Sequence, residues 1–446
     1  MSAANTSTDY AEYQRGLAAL NSLIQGDRAG PDAPQDRRQR ATRRMDRTRQ
    51  ILAALGSPQD TYATIHVTGT SGKGSTAAII AAMLTAAGYR TGLRTSPYLQ
   101  VATEKLQISH RLIDGVAFAA AVDEVFAAAD RLDLAPLVYT EAWAALSYLW
   151  FAQRQVDIAV IEVGAGGRFD TTNVITPEVS VITSVGLDHV ISLGPTLADI
   201  AWHKAGVIKH GQPVVTGDLC PEALTIIEHE ARALGAPIIQ ASALAADLVI
   251  GMSGAFQTAN AAIALDVTEA LRSQGRAIPE AAEQSGLTTA RLPGRLERMP
   301  GDSPRVWLDG AHNADKMRAL VRSLDSLLEQ RPVMVVGALG SKDIDSMATA
   351  IASAASSVVC TEPHVLGKHA SPPGEVASAL RAAGFTGPVA CEPDPLLAVS
   401  MAEDIGQAHD EPVVVTGSLY LIGEVRRRWF PDDAIVTQRT PWPRLF

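Results

Sequence analysis

The feature that most constrains the fold is a glycine-rich segment, Gly69-Thr70-Ser71-Gly72-Lys73-Gly74-Ser75-Thr76. It lies between a β-prone run, Thr64–Thr68 (TIHVT), and an apolar stretch long enough for a helix, Ala77–Ala87 (AAIIAAMLTAA). Glycines let the backbone turn so that several N–H groups aim at one anion, and the N-terminus of the following helix adds partial positive charge. Lys73 suits β- and γ-phosphate oxygens, and Ser75 or Thr76 suits a metal-bound phosphate. The strict phosphate-loop pattern would put its first glycine where Val67 stands, so this is a shorter variant. A glycine turn without a ligand is the competing reading, and the strand–loop–helix context disfavours it. The loop points to nucleotide binding and leaves the reaction open.

Around it the pattern is α/β. Val156–Val163 (VDIAVIEV) and Val179–Val185 (VSVITSV) are nearly continuous apolar runs, as central parallel strands are. Pro213–Thr216 is a shorter one, followed by a helix-like segment over Pro221–Leu234. With 446 residues the chain exceeds one ordinary domain. Pro293 and Gly294 punctuate a boundary within Thr289–Leu296, after which the alternation restarts. Val306–Leu308, Val333–Val336, Val358–Cys360 and Val413–Thr416 read as strands; Ala314–Leu328, Ile344–Ala355, Gly374–Ala383 and the segment from Ser418 read as helices. The expected organisation is a parallel-sheet α/β domain over 1–290 and a second, smaller doubly wound α/β domain over 291–446. No repeat of solenoid period is present.

Composition sets outer limits. A net charge of −10 argues against general binding to nucleic acid or an anionic membrane. Three scattered cysteines, Cys220, Cys360 and Cys391, without a CxxC pair, read as reduced thiols in a cytoplasm. The N-terminus lacks a basic-then-apolar signal pattern, and no apolar run reaches the length of a membrane span.

The later motifs narrow the reading. HVTGTSGKGST is followed by TGLRTSPYL, IEVGAGGRFDTTNV, SVGLDHVISLG and KAGVIK, then by PGRLE, LDGAHN and VVVTGSLYLIGEV. In this order they closely resemble the folylpolyglutamate synthase/dihydrofolate synthase branch of the Mur ligase family, from about Leu17 to the C-terminal helix. The resemblance implies a P-loop ATPase-type N-terminal domain and a smaller Rossmann-like C-terminal domain, in a cytoplasmic, monomeric, ATP-dependent ligase with catalysis in the cleft between them. ATP would phosphorylate the carboxylate of a folate or dihydropteroate, and the amine of L-glutamate would attack the acyl phosphate.

Such chemistry brings anions together, so metal ions must screen them. Two magnesium sites are implied. Glu162 ends an apolar strand, where it is either a structural ion pair or a Mg²⁺ ligand, and the second reading is preferred. His189 in GLDH and Ser96 in TSP match the family's metal ligands, with Ser75 from the phosphate loop. Lys204 in HKAGVIK matches a lysine that is carbamylated in relatives; capture of CO₂ needs the neutral amine, which burial favours. The resemblance puts Asn260 near adenine and Arg295, at the hinge, against ATP phosphates. It puts Asp309 near ribose or phosphate and His312 near the reacting phosphates. Lys73, Lys204 and His312 are thus the expected catalytic groups, and Gly69, Thr70, Gly72, Gly74, Ser75 and Thr76 join Asn260, Arg295 and Asp309 in holding nucleotide.

The chain departs from the family at several positions. Tyr98 and Lys105 stand where the loop after TSP usually has His and Arg, Ser71 where the phosphate loop has Asn, and Phe256 where relatives have His. Tyr98 is suited to stacking on a pterin. Lys105 is expected to keep its charge while losing the guanidinium fork. The stretch from Gly235 to Gly254 reads as shorter than in most relatives. The arginine-dense segment Asp36–Gln50 is more simply a solvated helix face than a contact for phosphate or a polyglutamate tail. A Mur-type ligase for another carboxylate is the alternative enzyme, and a non-catalytic nucleotide-binding regulator the alternative class.

Overall fold

The computed structural model describes residues 3–24, 34–134, 136–242, 248–301, 304–340 and 342–444. The chain divides into two compact units. The first comprises Met1–Gly251, Thr258–Arg291 and Asp433–Pro443, and the second Met252–Gln257, Leu292–Asp432 and Arg444–Phe446. Among the described residues no helix is long and apolar enough to cross a membrane.

The first unit is built on β1 (Ala63–Thr68), β2 (Thr91–Arg94), β3 (Leu106–Ile108), β4 (Arg111–Leu112), β5 (Ile158–Glu162), β6 (Val179–Ile182), β7 (Val214–Thr216) and β8 (Ile238–Gln240). Their order is β4-β3-β2-β5-β1-β6-β7-β8. From β2 to β8 all pairings are parallel, while β3 and β4 add an antiparallel edge. Continuous apolar runs at β5 and β6 become strands buried along their whole length. The runs end earlier as strands than as hydrophobic sequence, because the chain turns at Val163 and Thr183 into loops. The short pieces β2, β3, β4 and β8 carry too few apolar residues to stand out in sequence.

Helices cover the sheet. Tyr139–Gln153 is almost wholly buried, with Trp143, Tyr148, Trp150 and Phe151 inside. Gly92 on β2 makes room for it, since a Cβ there would meet Phe151 and Ala159, both at 3.1 Å. The helix Lys73–Ala86 crosses Glu280–Thr289 at Gly286, whose added Cβ would lie 2.5 Å from the backbone of Met83. Gly286→Ala is therefore expected to cost about 1–3 kcal/mol of stability by overpacking, read as a lower denaturant midpoint at unchanged slope.

The second unit has β9 (Glu297–Arg298), β10 (Val306–Leu308), β11 (Val333–Val336), β12 (Ser357–Cys360), β13 (Val389–Cys391) and β14 (Val413–Thr416). Their order is β13-β12-β11-β14-β10-β9, parallel except for β9. The expected strands lie at their expected places; β13 and the helix Pro395–His409 were not foreseen. Its core joins Met317, Leu320 and Leu324 to Met334, Ile351, Val358 and Leu380. Fold class agrees with the sequence reading: α/β, with two parallel-sheet units.

Candidate active site

Four neighbouring strands, β2, β5, β1 and β6, run parallel, so their C-terminal ends open on one edge of the sheet. Ligand sites of open α/β sheets lie at that edge. Ser96 follows β2, Glu162 ends β5, the glycine loop follows β1, and Thr183–His189 follows β6.

The loop is braced by β6. Gly69 has φ +154°, and a Cβ on it would lie 1.9 Å from Thr183 Oγ1. Thr183 Oγ1 donates to the Ser71 carbonyl at 2.5 Å. Ser184 Oγ accepts from Ser71 N–H at 2.9 Å, and Thr70 N–H donates to the Ser184 carbonyl at 3.0 Å. Gly72, with φ +83°, caps the helix, which starts at Lys73 rather than at the apolar Ala77. The first N–H groups of that helix have no intrahelical acceptor and are the donors such a loop offers an anion. Lys73 Nζ donates to the Gly69 carbonyl at 3.0 Å, which folds the ammonium over the loop.

Asn260 reaches this loop. A Cβ on Gly72 would lie 2.3 Å from its Oδ1, which also accepts from Thr76 Oγ1 at 3.4 Å. Thr76 is fully buried, so its hydroxyl serves the helix contact and Ser75 is the other hydroxyl of the pair. Phe256, at the expected histidine position, lies against Gly254.

Glu162 is buried, and its Oε2 accepts from Ser96 N–H at 2.7 Å, which joins the β2 and β5 ends directly. Arg94 donates to the Glu162 carbonyl at 2.5 Å. His189 is exposed, in a left-handed conformation (φ 54°) ahead of the short turn Val190–Leu193. Lys204 is buried near the end of the helix Leu197–Ala205. The turn after β5 packs on that helix: Arg168 N–H donates to the His203 carbonyl at 2.7 Å, and a Cβ on Gly167 would lie 3.2 Å from the Lys204 carbonyl.

Sequence reasoning missed the residues that hold this edge together. Asp170 Oδ2 accepts from Gly164 and Ala165 N–H at 3.1 and 3.2 Å, and its Oδ1 from Thr172 N–H and Oγ1 at 2.9 and 2.6 Å. The Thr172 hydroxyl in turn meets His66 Nε2 at 2.9 Å, and burial holds His66 well below the usual imidazole range. An Asp followed by Thr after a glycine turn is the signal that was available, since such side chains bond the backbone two residues on.

Lys105 corrects an expectation. Rather than offering a charge to a ligand, it is buried 4.2 Å from the Trp143 ring, and burial, then Arg94, drive its pKa well below the lysine range. Tyr98 is half-buried. The arginine-dense helix, Pro34–Ala54, divides its labour. Arg47 pairs with buried Glu141 at 3.0 Å, whereas Arg38 and Arg44 line a groove of about 680 Å³ with Phe169, Thr171, Ile191 and His203. Beside it, Trp202 lies under Arg38 and Arg168, at 4.8 and 4.3 Å. Of the stretch from Gly235 to Gly254, residues 243–247 lie outside the described residues.

Burial, then the Arg38 and Arg168 guanidiniums, push the His203 imidazole down to about 4. The unfolded chain takes up that proton near pH 6.5 and the folded chain only near 4. Stability from this group is full above about pH 6.5 and is lost as pH falls through that interval. His203→Gln is expected to flatten this part of the acid profile in urea melts.

In the second unit, Asp309 after β10 is buried, with Oδ2 on Leu296 N–H and Oδ1 on Ala311 N–H, both at 2.8 Å. Burial raises its pKa, against the pull of Arg295 and of those N–H groups. It therefore braces the turn that carries Arg295, whose Nη1 donates to the Gly294 carbonyl at 3.1 Å. Glu297, on the same turn, pairs with fully buried Arg426 at 2.8 Å. His312 Nδ1 donates to the Gly310 carbonyl at 2.7 Å and Nε2 accepts from Lys316 Nζ at 3.0 Å, the pattern of a neutral ring. Lys316 was not foreseen.

A parallel sheet whose first strand feeds a braced glycine loop and helix defines a nucleotide-binding α/β unit of the P-loop kind. Residues 67–216 match the Mur ligase middle domain, and 294–419 the Mur ligase, glutamate ligase domain. The chain is 36% identical to folylpolyglutamate synthase of Lacticaseibacillus casei, over 84% of this chain and 92% of that protein. It is 34% identical to dihydrofolate synthase/folylpolyglutamate synthase of Bacillus subtilis, over 86% and 94%. Mycobacterium tuberculosis folylpolyglutamate synthase complexed with ADP superposes with a TM-score of 0.84 at 29% identity, covering 95% of this chain and 99% of that one. The chain belongs to the Mur ligase family, in its folylpolyglutamate synthase/dihydrofolate synthase branch.

Proposed function

We propose that this protein uses ATP to join L-glutamate to a folate, to dihydropteroate, or to both, through an acyl phosphate. It is an ATP-dependent glutamate ligase of its family, and the relatives do not favour a Mur-type ligase for another carboxylate. The observation that carries the reading is the shared sheet edge, where a braced phosphate loop, Glu162 and the Thr183–His189 loop follow adjacent strands. Lys73 and the N–H groups from Gly72 to Ser75 would hold the β- and γ-phosphates. Gly69, Thr70, Gly74 and Thr76 shape that cradle, with Asn260 seated against it. Arg295, Asp309 and His312 would serve the nucleotide and the transferred phosphoryl group from the second unit.

The groups at this edge suit magnesium. Among the described residues no three His, Cys, Asp or Glu side chains converge on one point. Mg²⁺ is usually held by one or two carboxylates, waters and substrate phosphates. Glu162, with one oxygen already oriented by Ser96 N–H, fits that demand. Ser75, Ser96, His189 and a carbamylated Lys204 would complete two sites. Bound there, the ions would screen the triphosphate from the acceptor carboxylate.

The groove at Phe169 and His203 suits the acceptor, because an aromatic wall accepts a flat ring and Arg38 and Arg44 accept its anionic end. We place the enzyme as a monomer in a reducing cytoplasm, consistent with its three free cysteines. Phosphate release from ATP tests the reading. Dependence on L-glutamate together with dihydropteroate or tetrahydrofolate is expected; release that ignores both acceptors but responds to other carboxylic acids would overturn it. Comparing the two acceptors assigns one activity or both.

A further inference from the structure

We propose that Cys360 and Cys391 form a reversible intramolecular disulfide, which makes the outer edge of the second unit's sheet a site of two-electron oxidation. The two residues are register partners on β12 and β13. Residues directly opposite on parallel neighbours lie about 4.8 Å apart and project to the same face, within the roughly 4.4–6.8 Å that a disulfide requires between Cα atoms. Burial first, and then the neighbouring Cys391, raise the Cys360 pKa, as two thiols side by side would. Strand β13 is three residues long and, among the described residues, pairs with β12 alone, so this edge strand can adjust for a bond. The pair is also asymmetric in access: Cys391 is exposed and Cys360 is fully buried. Burial pushes the Cys360 thiol up to about 12, so the exposed partner is the one that meets an oxidant.

With a peroxide as oxidant the electrons balance in two steps. The Cys391 thiolate attacks one peroxide oxygen, the O–O bond breaks, and the departing hydroxide is protonated to water, leaving a sulfenic acid. The Cys360 sulfur then attacks the Cys391 sulfur. The S–O bond breaks, and hydroxide leaves with the Cys360 proton as a second water. Two thiols lose two electrons and one peroxide becomes two waters; a dithiol reductant reverses the change. The bond would tie together the ends of the segment 361–390, which carries the helix Pro373–Ala382 and His364, the partner of Glu424 on a later helix. Both thiols end their strands at the sheet edge where β10 gives way to Asp309 and His312. No part of the ligase reading uses either thiol, so the two stand or fall separately.

The test treats the full-length protein with hydrogen peroxide, blocks remaining thiols with N-ethylmaleimide, and maps non-reduced peptides by mass spectrometry. The expected result is a linked Cys360–Cys391 peptide pair that dithiothreitol releases, with Cys220 still alkylated. Dimedone should trap little sulfenic acid in the unaltered protein and much more at Cys391 in Cys360→Ser. Should the buried substitution unfold the chain, Cys391→Ser serves instead: Cys360 is then expected to remain a thiol under the same peroxide, and its oxidation to the extent seen in the unaltered protein would overturn the proposal. Equal dimedone trapping with and without Cys360, or sulfinic acid at Cys391 beside an unreacted Cys360, would overturn the proposal.

Discussion

Replacing Lys73 with alanine is expected to lower glutamate-dependent phosphate release by about 10²–10³-fold or more while leaving the protein folded. Lys73 is the first residue of the helix that receives the phosphate loop, and its ammonium lies 3.0 Å from the Gly69 carbonyl. That contact is one hydrogen bond at a half-buried site, so its loss should cost stability only about 1 kcal/mol. In the proposed reaction the same ammonium would face charge that builds as the phosphoryl group moves to a second anion. The loss of activity is therefore expected to exceed the loss of stability, and a thermal melt separates the two. Lys73→Arg should recover little, because the planar fork cannot reproduce a compact point charge within a tight loop. Near-normal turnover by Lys73→Ala would remove the lysine from the mechanism.

The parts legible in sequence share one property: their signal is local. Runs such as VDIAVIEV and VMVV are apolar throughout because both faces of a central parallel strand are covered, and they appear as β5 and β11. The loop GTSGKGST is legible because its glycines answer to backbone geometry at Gly69 and Gly72. What could not be read depends on partners distant in the chain. Thr183 and Ser184 look like the tail of a strand, and only the β1–β6 pairing brings them onto Ser71. Lys105 reads as a cation near a substrate loop, yet it is packed on Trp143, whose place is set by a helix thirty-odd residues on. Asp170 and Thr172 were passed over because ordinary polar letters carry no trace of the hydrogen bonds they make. The arginine-dense run looks in sequence like one solvated surface, although a helix presents several faces: Arg47 turns to buried Glu141 while Arg38 and Arg44 line the groove.

Lys204→Ala should abolish activity and regain part of it in the presence of short carboxylic acids. Lys204 is enclosed near the end of its helix, with the turn at Gly167 and Arg168 packed on that helix. Its neutral amine can attack the carbon of CO₂ and release a proton, so that a cationic side chain becomes a carbamate anion. The proposed site has one carboxylate, Glu162, and one imidazole, His189, to hold two magnesium ions that would face a triphosphate, and a second anion is what such a site would lack. Alanine would leave both the charge deficit and a cavity, and formate or acetate is small enough to fill the cavity and restore the charge. Methionine at 204 separates chemistry from packing: it keeps the volume, so it should stay folded, stay inactive, and refuse rescue because the cavity is filled. The carbamate has its own readout, a ¹³C resonance after equilibration with labelled bicarbonate that vanishes in Lys204→Ala. If the unaltered protein gave no such resonance, or if Lys204→Ala turned over normally, the metal site would have to be built without it, and Glu162 would then carry the charge of the site with His189 alone.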